Sequence, residues 1–428
     1  MSTLQEVLEP VSDADFSSPV STLRVPSNVV LESLAHEEGV TSAQLREHVL
    51  CGKAVLLRNP HSEKWTAIGS LVTTKVNANV GTSADCPNYD QVFKKARIAV
   101  EAGAHTLMDL STIGFENALD FARGIRSVSE VAGVPVGTVP VYEVARHGMI
   151  RTESTRVVLD DDEALEIVER QAEAGASYMA IHAGLNRRSL EVWRRKPRSI
   201  VSKGGYITAE HMLTTGKENP FYERFDDLLA ILKKYDVCLN VGSALRSGAT
   251  RFNDEAQRAE IREAGELARR ANAAGVKTTV EGPGHVPMAM IPEIVKYQQE
   301  MTDGRPFFIL GFLPTDCFTG WDHIVSAIGA TEAVRHGVSW LCYITPAEHK
   351  RMPNDKDVKE GVIAARIAAH IGDCARGNSV ALAREEARND KGCLDPNAAK
   401  QFCSICGQDF CPIQRLHDLK ENIDVALP

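Results

Sequence analysis

Glu101-Ala-Gly-Ala-His-Thr-Leu-Met-Asp-Leu110 runs from the end of an amphipathic stretch through one glycine into a short apolar run. The same order returns in Glu173-Ala-Gly-Ala-Ser-Tyr-Met-Ala-Ile-His182, Ala274-Gly-Val-Lys-Thr-Thr-Val-Glu281 and His336-Gly-Val-Ser-Trp-Leu-Cys-Tyr343. Glycine is the residue that reaches a left-handed conformation without a Cβ penalty, so it closes a helix and releases the chain straight into a strand. Recurrence of the unit predicts one repeated βα architecture.

Working outward, apolar residues fall near helical spacing in Gln91–Val100, Glu163–Gln171, Glu255–Ala271 and His323–Arg335. Strands are expected at 72–78, 105–110, 134–140, 178–182, 237–242, 277–281, 307–311 and 339–344, with a weaker ninth at 200–203. Strands separated by helices pair in parallel. Eight of them close an α/β fold of the (β/α)8 TIM-barrel type, whose chemistry sits at the carboxyl ends of the strands. Polar residues gather at those ends: Asn77, Asn79, Asp109, Tyr142, His182, Ser243, Glu281 with His285, and Asp316. An open doubly wound sheet would draw its site from fewer strands. The expected organisation is a lead-in segment over 1–70, the barrel with its substrate and metal site over 71–350, and a C-terminal helical and cluster-binding region over 351–428, with helices at Asp355–Ile371 and Ser379–Asp390.

The net charge of −9 argues against a general nucleic-acid binder. One basic group, Arg187, Arg188, Arg194, Arg195, Lys196 and Arg198 around Trp193, is read mainly as a solvated face. No apolar run approaches the ~20 residues that span a bilayer. The opening Met1-Ser-Thr-Leu-Gln-Glu6 lacks a signal-peptide pattern, and ten cysteines are too sparse for a disulfide scaffold, so a cytoplasmic protein with reduced thiols is expected.

Reduced thiols suit the tail, Phe402-Cys-Ser-Ile-Cys-Gly-Gln-Asp-Phe-Cys-Pro412. Cys403, Cys406 and Cys411 either hold a [4Fe–4S] cluster with one iron left open, or a structural zinc completed by His417 or Cys393. Within the barrel, Glu281-Gly-Pro-Gly-His-Val-Pro-Met288 packs glycines and prolines around an acid and an imidazole, aiming both into one cavity. Cys342-Tyr-Ile-Thr-Pro-Ala-Glu-His349 also follows a strand, so His349 is expected to meet His285 as half of an open mononuclear site for a divalent metal, zinc or iron. Asp316, Asp322 and His323 are candidates for proton transfer or for support of those ligands, and Asp322 alternatively for a helix cap. Ser202-Lys-Gly-Gly205 reads as a small anion nest, with Arg246 at the end of another strand as its partner on a phosphorylated ligand.

Taken together, Val76-Asn-Ala-Asn79, Met108-Asp-Leu-Ser-Thr112, Gly137-Thr-Val-Pro-Val-Tyr142, Ile181-His-Ala-Gly184, Glu281–Met288, Tyr343–His349 and the C-terminal Cys-x2-Cys-x4-Cys resemble, over roughly residues 70–415, the ThiC family of phosphomethylpyrimidine synthases and 5-hydroxybenzimidazole synthases. The resemblance implies a radical S-adenosylmethionine enzyme, of carbon–carbon lyase type, acting on aminoimidazole ribotide. It assigns the [4Fe–4S] cluster to Cys403, Cys406 and Cys411 and a mononuclear metal to His285 and His349, while Glu281, Asp316, Asp322 and His323 stand as the catalytic candidates. Ribotide contacts map to Asn79, Met108, Tyr142, His182, Ser202, Lys203, Gly204, Ser243, Ala244, Leu245, Arg246, Glu281 and Phe308. It further implies a homodimer whose cluster region reaches a barrel mouth, and an electron donor such as flavodoxin or ferredoxin.

Departures from the family pattern point to one branch. Pyrimidine synthases usually read Asp-Gly-Leu-Arg where this chain has Ser243-Ala-Leu-Arg246, carry tyrosine at Phe308, and arginine at Lys203. Losing an acid and a phenol redirects a radical rearrangement, so 5-hydroxybenzimidazole, a lower-ligand precursor for anaerobic cobamide (vitamin B12), is the expected product. The thiamin pyrimidine is the close alternative, and a zinc-dependent barrel hydrolase with a structural zinc tail the alternative of another class.

Overall fold

The computed structural model describes residues 8–9, 23–62, 64–252, 254–389, 405, 407–412, 415 and 419. The chain divides into two compact units, Met1–Asn378 and Ser379–Pro428. In the first, eight strands close into a parallel barrel. We number them β1 (Lys75–Val80), β2 (Thr106–Asp109), β3 (Val136–Thr138), β4 (Tyr178–Ile181), β5 (Cys238–Val241), β6 (Thr278–Glu281), β7 (Phe307–Leu310) and β8 (Trp340–Cys342). Each pairs with the next, and β8 returns to β1 with Leu341 opposite Val76.

The glycines of the recurring unit adopt the backbone their position requires: Gly103, Gly175, Gly275 and Gly337 have φ of 102°, 107°, 85° and 113°. Any residue with a Cβ is strained there. The amphipathic stretches are the outer helices Tyr89–Glu101, Asp161–Glu173, Glu255–Ala273 and Asp322–Arg335. The ninth strand expected at 200–203 is not a strand. Ser202 caps the helix Lys203–Thr215, its Oγ accepting from the Gly205 amide, and that local bond favours a helix start over sheet pairing. Most of the basic group around Trp193 is paired with acids: Arg187 with Glu218, Arg188 with Glu263, Arg194 with Glu191 and Arg198 with Asp254.

The amino end of the barrel is covered. Helices Asn28–Glu37 and Ser42–Leu50 pack with the antiparallel strands Ala54–Arg58 and Trp65–Gly69 around Leu31, Leu45, Leu56 and Trp65. Lys277, just before β6, donates to the Leu56 carbonyl (3.1 Å), and Asn59 donates to the Val134 carbonyl ahead of β3 (2.8 Å). After β8 the helix Asp355–Ala375 brings Asp373 to the Thr74 amide (2.8 Å) and hydroxyl (2.7 Å), tying the last barrel helix to the entry of the first strand. Access is left to the carboxyl mouth.

Beneath that mouth lies an interior floor. Tyr178 is fully buried, with its hydroxyl 2.7 Å from Asn77 Oδ1 and 2.6 Å from the Leu107 carbonyl, two acceptors sharing one proton. Trp340 packs edge-on against it at 4.9 Å and donates to Thr106 Oγ1, which in turn donates to Asn77. A Cβ on Gly137 would stand 2.1 Å from the Tyr178 ring, so glycine in β3 makes the room this ring occupies. No described helix is long and apolar enough to cross a membrane.

In the second unit, Ser379–Asn389 is helical and Gly407–Phe410 forms a single turn followed by buried Cys411. Cys403 and Cys406 lie outside the described residues.

Candidate active site

Side chains from all around the barrel mouth converge on one cavity. Asn79 from β1, Met108 from β2, Tyr142 after β3, His182 after β4, Arg246 after β5, Glu281 from β6 and Phe308 from β7 line it, together with Ser202. Strand alternation explains the choice: Met108 and Leu110 face the cavity, so Asp109 between them turns outward, where its Oδ1 accepts from the Ser111 amide and hydroxyl. The expectation that Asp109 joins the site is therefore corrected.

One end of the cavity suits an anion. The helix Lys203–Thr215 presents its amino terminus beside it, where unsatisfied amides and the helix dipole favour negative charge. Glycine is required for this approach, since a Cβ on Gly204 would sit 2.2 Å from His182 Cε1, and one on Gly205 2.5 Å from the Ala244 carbonyl. Lys203 Nζ lies 5.1 Å from the centre of the Tyr142 ring, and burial lowers its pKa. Ser202 Oγ is 3.1 Å from His182 Nε2. Burial, and then the charge of Arg246, pull the His182 pKa down to about 3, so this imidazole is neutral.

Glu281 lines the same cavity. Its Oε1 accepts from Asn240 (2.7 Å) and its Oε2 from the Ser243 amide (3.1 Å). Burial raises its pKa, while Arg246 and these two donors act against the rise. Burial likewise pushes the Tyr142 phenol up to about 12, keeping it a hydrogen-bond donor. Phe308 packs against Trp340 with ring centroids 4.2 Å apart and planes tilted by 31°.

Ser243, Ala244 and Leu245 do not line the cavity. Ala244 and Leu245 are fully buried, and their amides donate to Glu260 at 2.5 and 2.8 Å, while the Ser243 hydroxyl donates to the same carboxylate at 3.1 Å. Sequence reading missed Glu260, which stands in an ordinary helical stretch, and Cys342, which lines the cavity at the end of β8 and whose thiol burial pushes up to about 12. Its position at a strand end was the available signal for Cys342.

His285 and His349, 64 residues apart in sequence, come together with ring centroids 5.4 Å apart. Each is oriented by its own acid: His285 Nδ1 lies 2.8 Å from Asp316 Oδ1 and His349 Nδ1 3.0 Å from Asp322 Oδ1. An ionised carboxylate only accepts, so each ring donates from Nδ1, the arrangement in which Nε2 would be the metal-ligating nitrogen. This donor set fits a divalent metal with open positions, two imidazoles supported by two carboxylates. Burial pushes the Asp316 carboxyl up, but the Thr250 amide, His285 and the Thr250 hydroxyl outweigh it and the net shift is downward. Asp322 is the first residue of its helix rather than the cap, which is Trp321. His323 Nδ1 is buried without a hydrogen-bond partner among the described residues, and burial lowers its pKa. In the tail the donor set is thiol, the soft ligand type that suits an iron–sulfur cluster.

Comparison with known proteins gives the family. The model of the Radical SAM ThiC family matches residues 26–391. A phosphomethylpyrimidine synthase of Thermus thermophilus is 41% identical over 407 residues, covering 89% of this chain and 92% of that protein. One of Methanopyrus kandleri is 41% identical over 428 residues, covering 93% and 97%, and one of Halobacterium salinarum 40% over 426 residues, covering 92% and 87%. With a family match across most of its length and relatives this similar end to end, the chain belongs to the radical SAM ThiC family.

Proposed function

We propose that this chain is a phosphomethylpyrimidine synthase, a cytoplasmic radical S-adenosylmethionine enzyme that rearranges aminoimidazole ribotide into the thiamin pyrimidine. The observation that carries this reading is the agreement of relatives about 40% identical over nine-tenths of the chain, all bearing that name. It displaces the benzimidazole product expected from sequence, for which no comparable support stands beside it.

The residues divide the work as follows. Arg246, which lines the cavity, Lys203 beside Tyr142 and the amides at the start of helix Lys203–Thr215 hold the ribotide phosphate by charge and dipole. Neutral His182, Tyr142 and Asn79 hydrogen-bond the sugar and base, and Met108 and Phe308 supply apolar walls. Glu281 holds or accepts a proton beside the base. His285 and His349 hold the mononuclear metal through Nε2, with Asp316 and Asp322 keeping their tautomers. Cys403, Cys406 and Cys411 hold the [4Fe–4S] cluster, which with S-adenosylmethionine and an external electron donor such as flavodoxin or ferredoxin supplies the 5′-deoxyadenosyl radical. The working form is a homodimer.

A second reading, 5-hydroxybenzimidazole synthesis, is favoured by two features of the mouth. Phe308 presents no hydroxyl to the cavity, and the Ser243 hydroxyl is turned to Glu260 rather than inward. Anaerobically reconstituted, reduced protein mixed with aminoimidazole ribotide and S-adenosylmethionine separates the two by product mass. A phosphorylated pyrimidine supports the main reading, 5-hydroxybenzimidazole replaces it with the second, and absence of 5′-deoxyadenosine removes both.

A further inference from the structure

The turn after β5 carries Arg246 into the cavity, and its backbone is held from below by side chains of one helix. Asp254, Gln257 and Glu260 recur every three residues at the start of helix Glu255–Ala273, so they share a face. Glu260, 2% exposed, takes the amides of Ala244 and Leu245 and the hydroxyl of Ser243. Gln257 Oε1 accepts from the Ser247 amide at 3.1 Å. Asp254 pairs with Arg198 (2.6 and 3.1 Å), whose guanidinium donates onward to the Leu245 carbonyl at 2.7 Å.

Both edges of the turn are thus gripped, the Ala244 and Leu245 amides by the buried Glu260 carboxyl and the Leu245 carbonyl by the buried Arg198 guanidinium. Arg246 itself donates to the Ser243 carbonyl at 2.9 Å, inside the same turn. We infer that Glu260 is a positioning residue: without touching ligand, it sets the guanidinium of Arg246 at the cavity by holding the Ser243 hydroxyl and the Ala244 and Leu245 amides.

The physical case is one of satisfaction. Three donors buried in one place need an acceptor with several lone pairs, and a carboxylate supplies them. An amide in its place turns an N–H toward an N–H or O–H, which leaves buried donors unpaired and frees the turn to move. Side-chain bonds from the helix hold the turn at its backbone, so the effect passes to Arg246 through that backbone.

The inference rests on the proposed ribotide site, and its test separates the two. Hydrogen exchange on the full chain without ligand reads the grip directly: the Ala244 and Leu245 amides are slow in wild type and fast in Glu260→Gln. Titration with aminoimidazole ribotide then reads the consequence. Glu260→Gln binds about 10- to 100-fold more weakly, and Glu260→Gln combined with Arg246→Ala binds no more weakly than Arg246→Ala alone, because both act through one guanidinium. Unchanged exchange in Glu260→Gln, or additive losses in the double variant, overturns the positioning role. If wild type takes no ribotide while the exchange difference stands, the substrate reading fails, and titration with inorganic phosphate of wild type and the same variants decides the positioning role in its place.

Discussion

His349 holds a left-handed backbone, φ 61°, and from it reaches Asp322 Oδ1 at 3.0 Å. A residue with a Cβ occupies that conformation at some energetic cost, and here the surrounding turn and the acid one helix away keep it there. The pair makes Asp322 a support for the ring, which the sequence position at a helix start leaves ambiguous with capping.

Asp322→Asn removes the charge that selects the Nδ1–H tautomer. Affinity for a divalent metal is expected to fall roughly 10- to 100-fold. Titrating metal-free protein with zinc or ferrous iron checks this, and the absorbance of the reconstituted cluster serves as the internal reference, since it is expected to stay unchanged. Equal affinity in the two proteins would remove the metal role of His349.

Glu260 also shapes the response to pH. Burial pushes its carboxyl up to about 7 from an ordinary 4.5, against the pull of the Leu245 and Ala244 amides. Across that window the unfolded chain has released the proton while the folded chain retains it, so stability contributed here is lost as pH rises. Denaturation midpoints of wild type minus Glu260→Gln are expected to decrease from about pH 5 to about pH 7.5. A flat difference contradicts the raised pKa.

Gly204→Ala places a methyl where His182 already stands, 2.2 Å from Cε1. Either the helix start or the imidazole must retreat, at a cost of about 1–3 kcal/mol. Thermal unfolding is expected to show that loss together with weaker ribotide binding. Gly137→Ala, whose Cβ meets the Tyr178 ring in the barrel floor, is expected to lose stability by the same mechanism.

Ser243→Asp puts an acceptor where the serine hydroxyl now donates to Glu260, with Glu281 already on the Ser243 amide. Three carboxylates then crowd one turn, and a loss of about 1–3 kcal/mol is expected, measured by urea denaturation at neutral pH and relieved at acid pH as one of them takes a proton. Stability equal to wild type would show that the turn opens to let the new acid face the cavity.

Much of the barrel was legible because its signals are local. Gly103, Gly175, Gly275 and Gly337 mark helix ends through a backbone angle that only the residue's own Cβ opposes. Residues 200–203 were misread for the opposite reason: a β-branched run looks like a strand until Ser202 is seen capping the next helix. In the cavity, Asn79, Met108, Tyr142, His182, Arg246, Glu281 and Phe308 were legible from strand ends or from the resemblance and Ser202 from its glycine-rich turn, whereas Ala244 and Leu245, carried by the resemblance, bond to Glu260 instead.

By itself, then, the sequence determined the parallel barrel, the strand ends where polar side chains gather, and the pairing of two imidazole-bearing turns, since each follows from spacing along the chain. Tertiary structure alone decided that Asp316 and Asp322 each orient a histidine and that Glu260 grips the Arg246 turn. Such bonds join groups many residues apart, and their existence depends on how loops cross in space, to within a few tenths of an ångström, which no periodicity encodes.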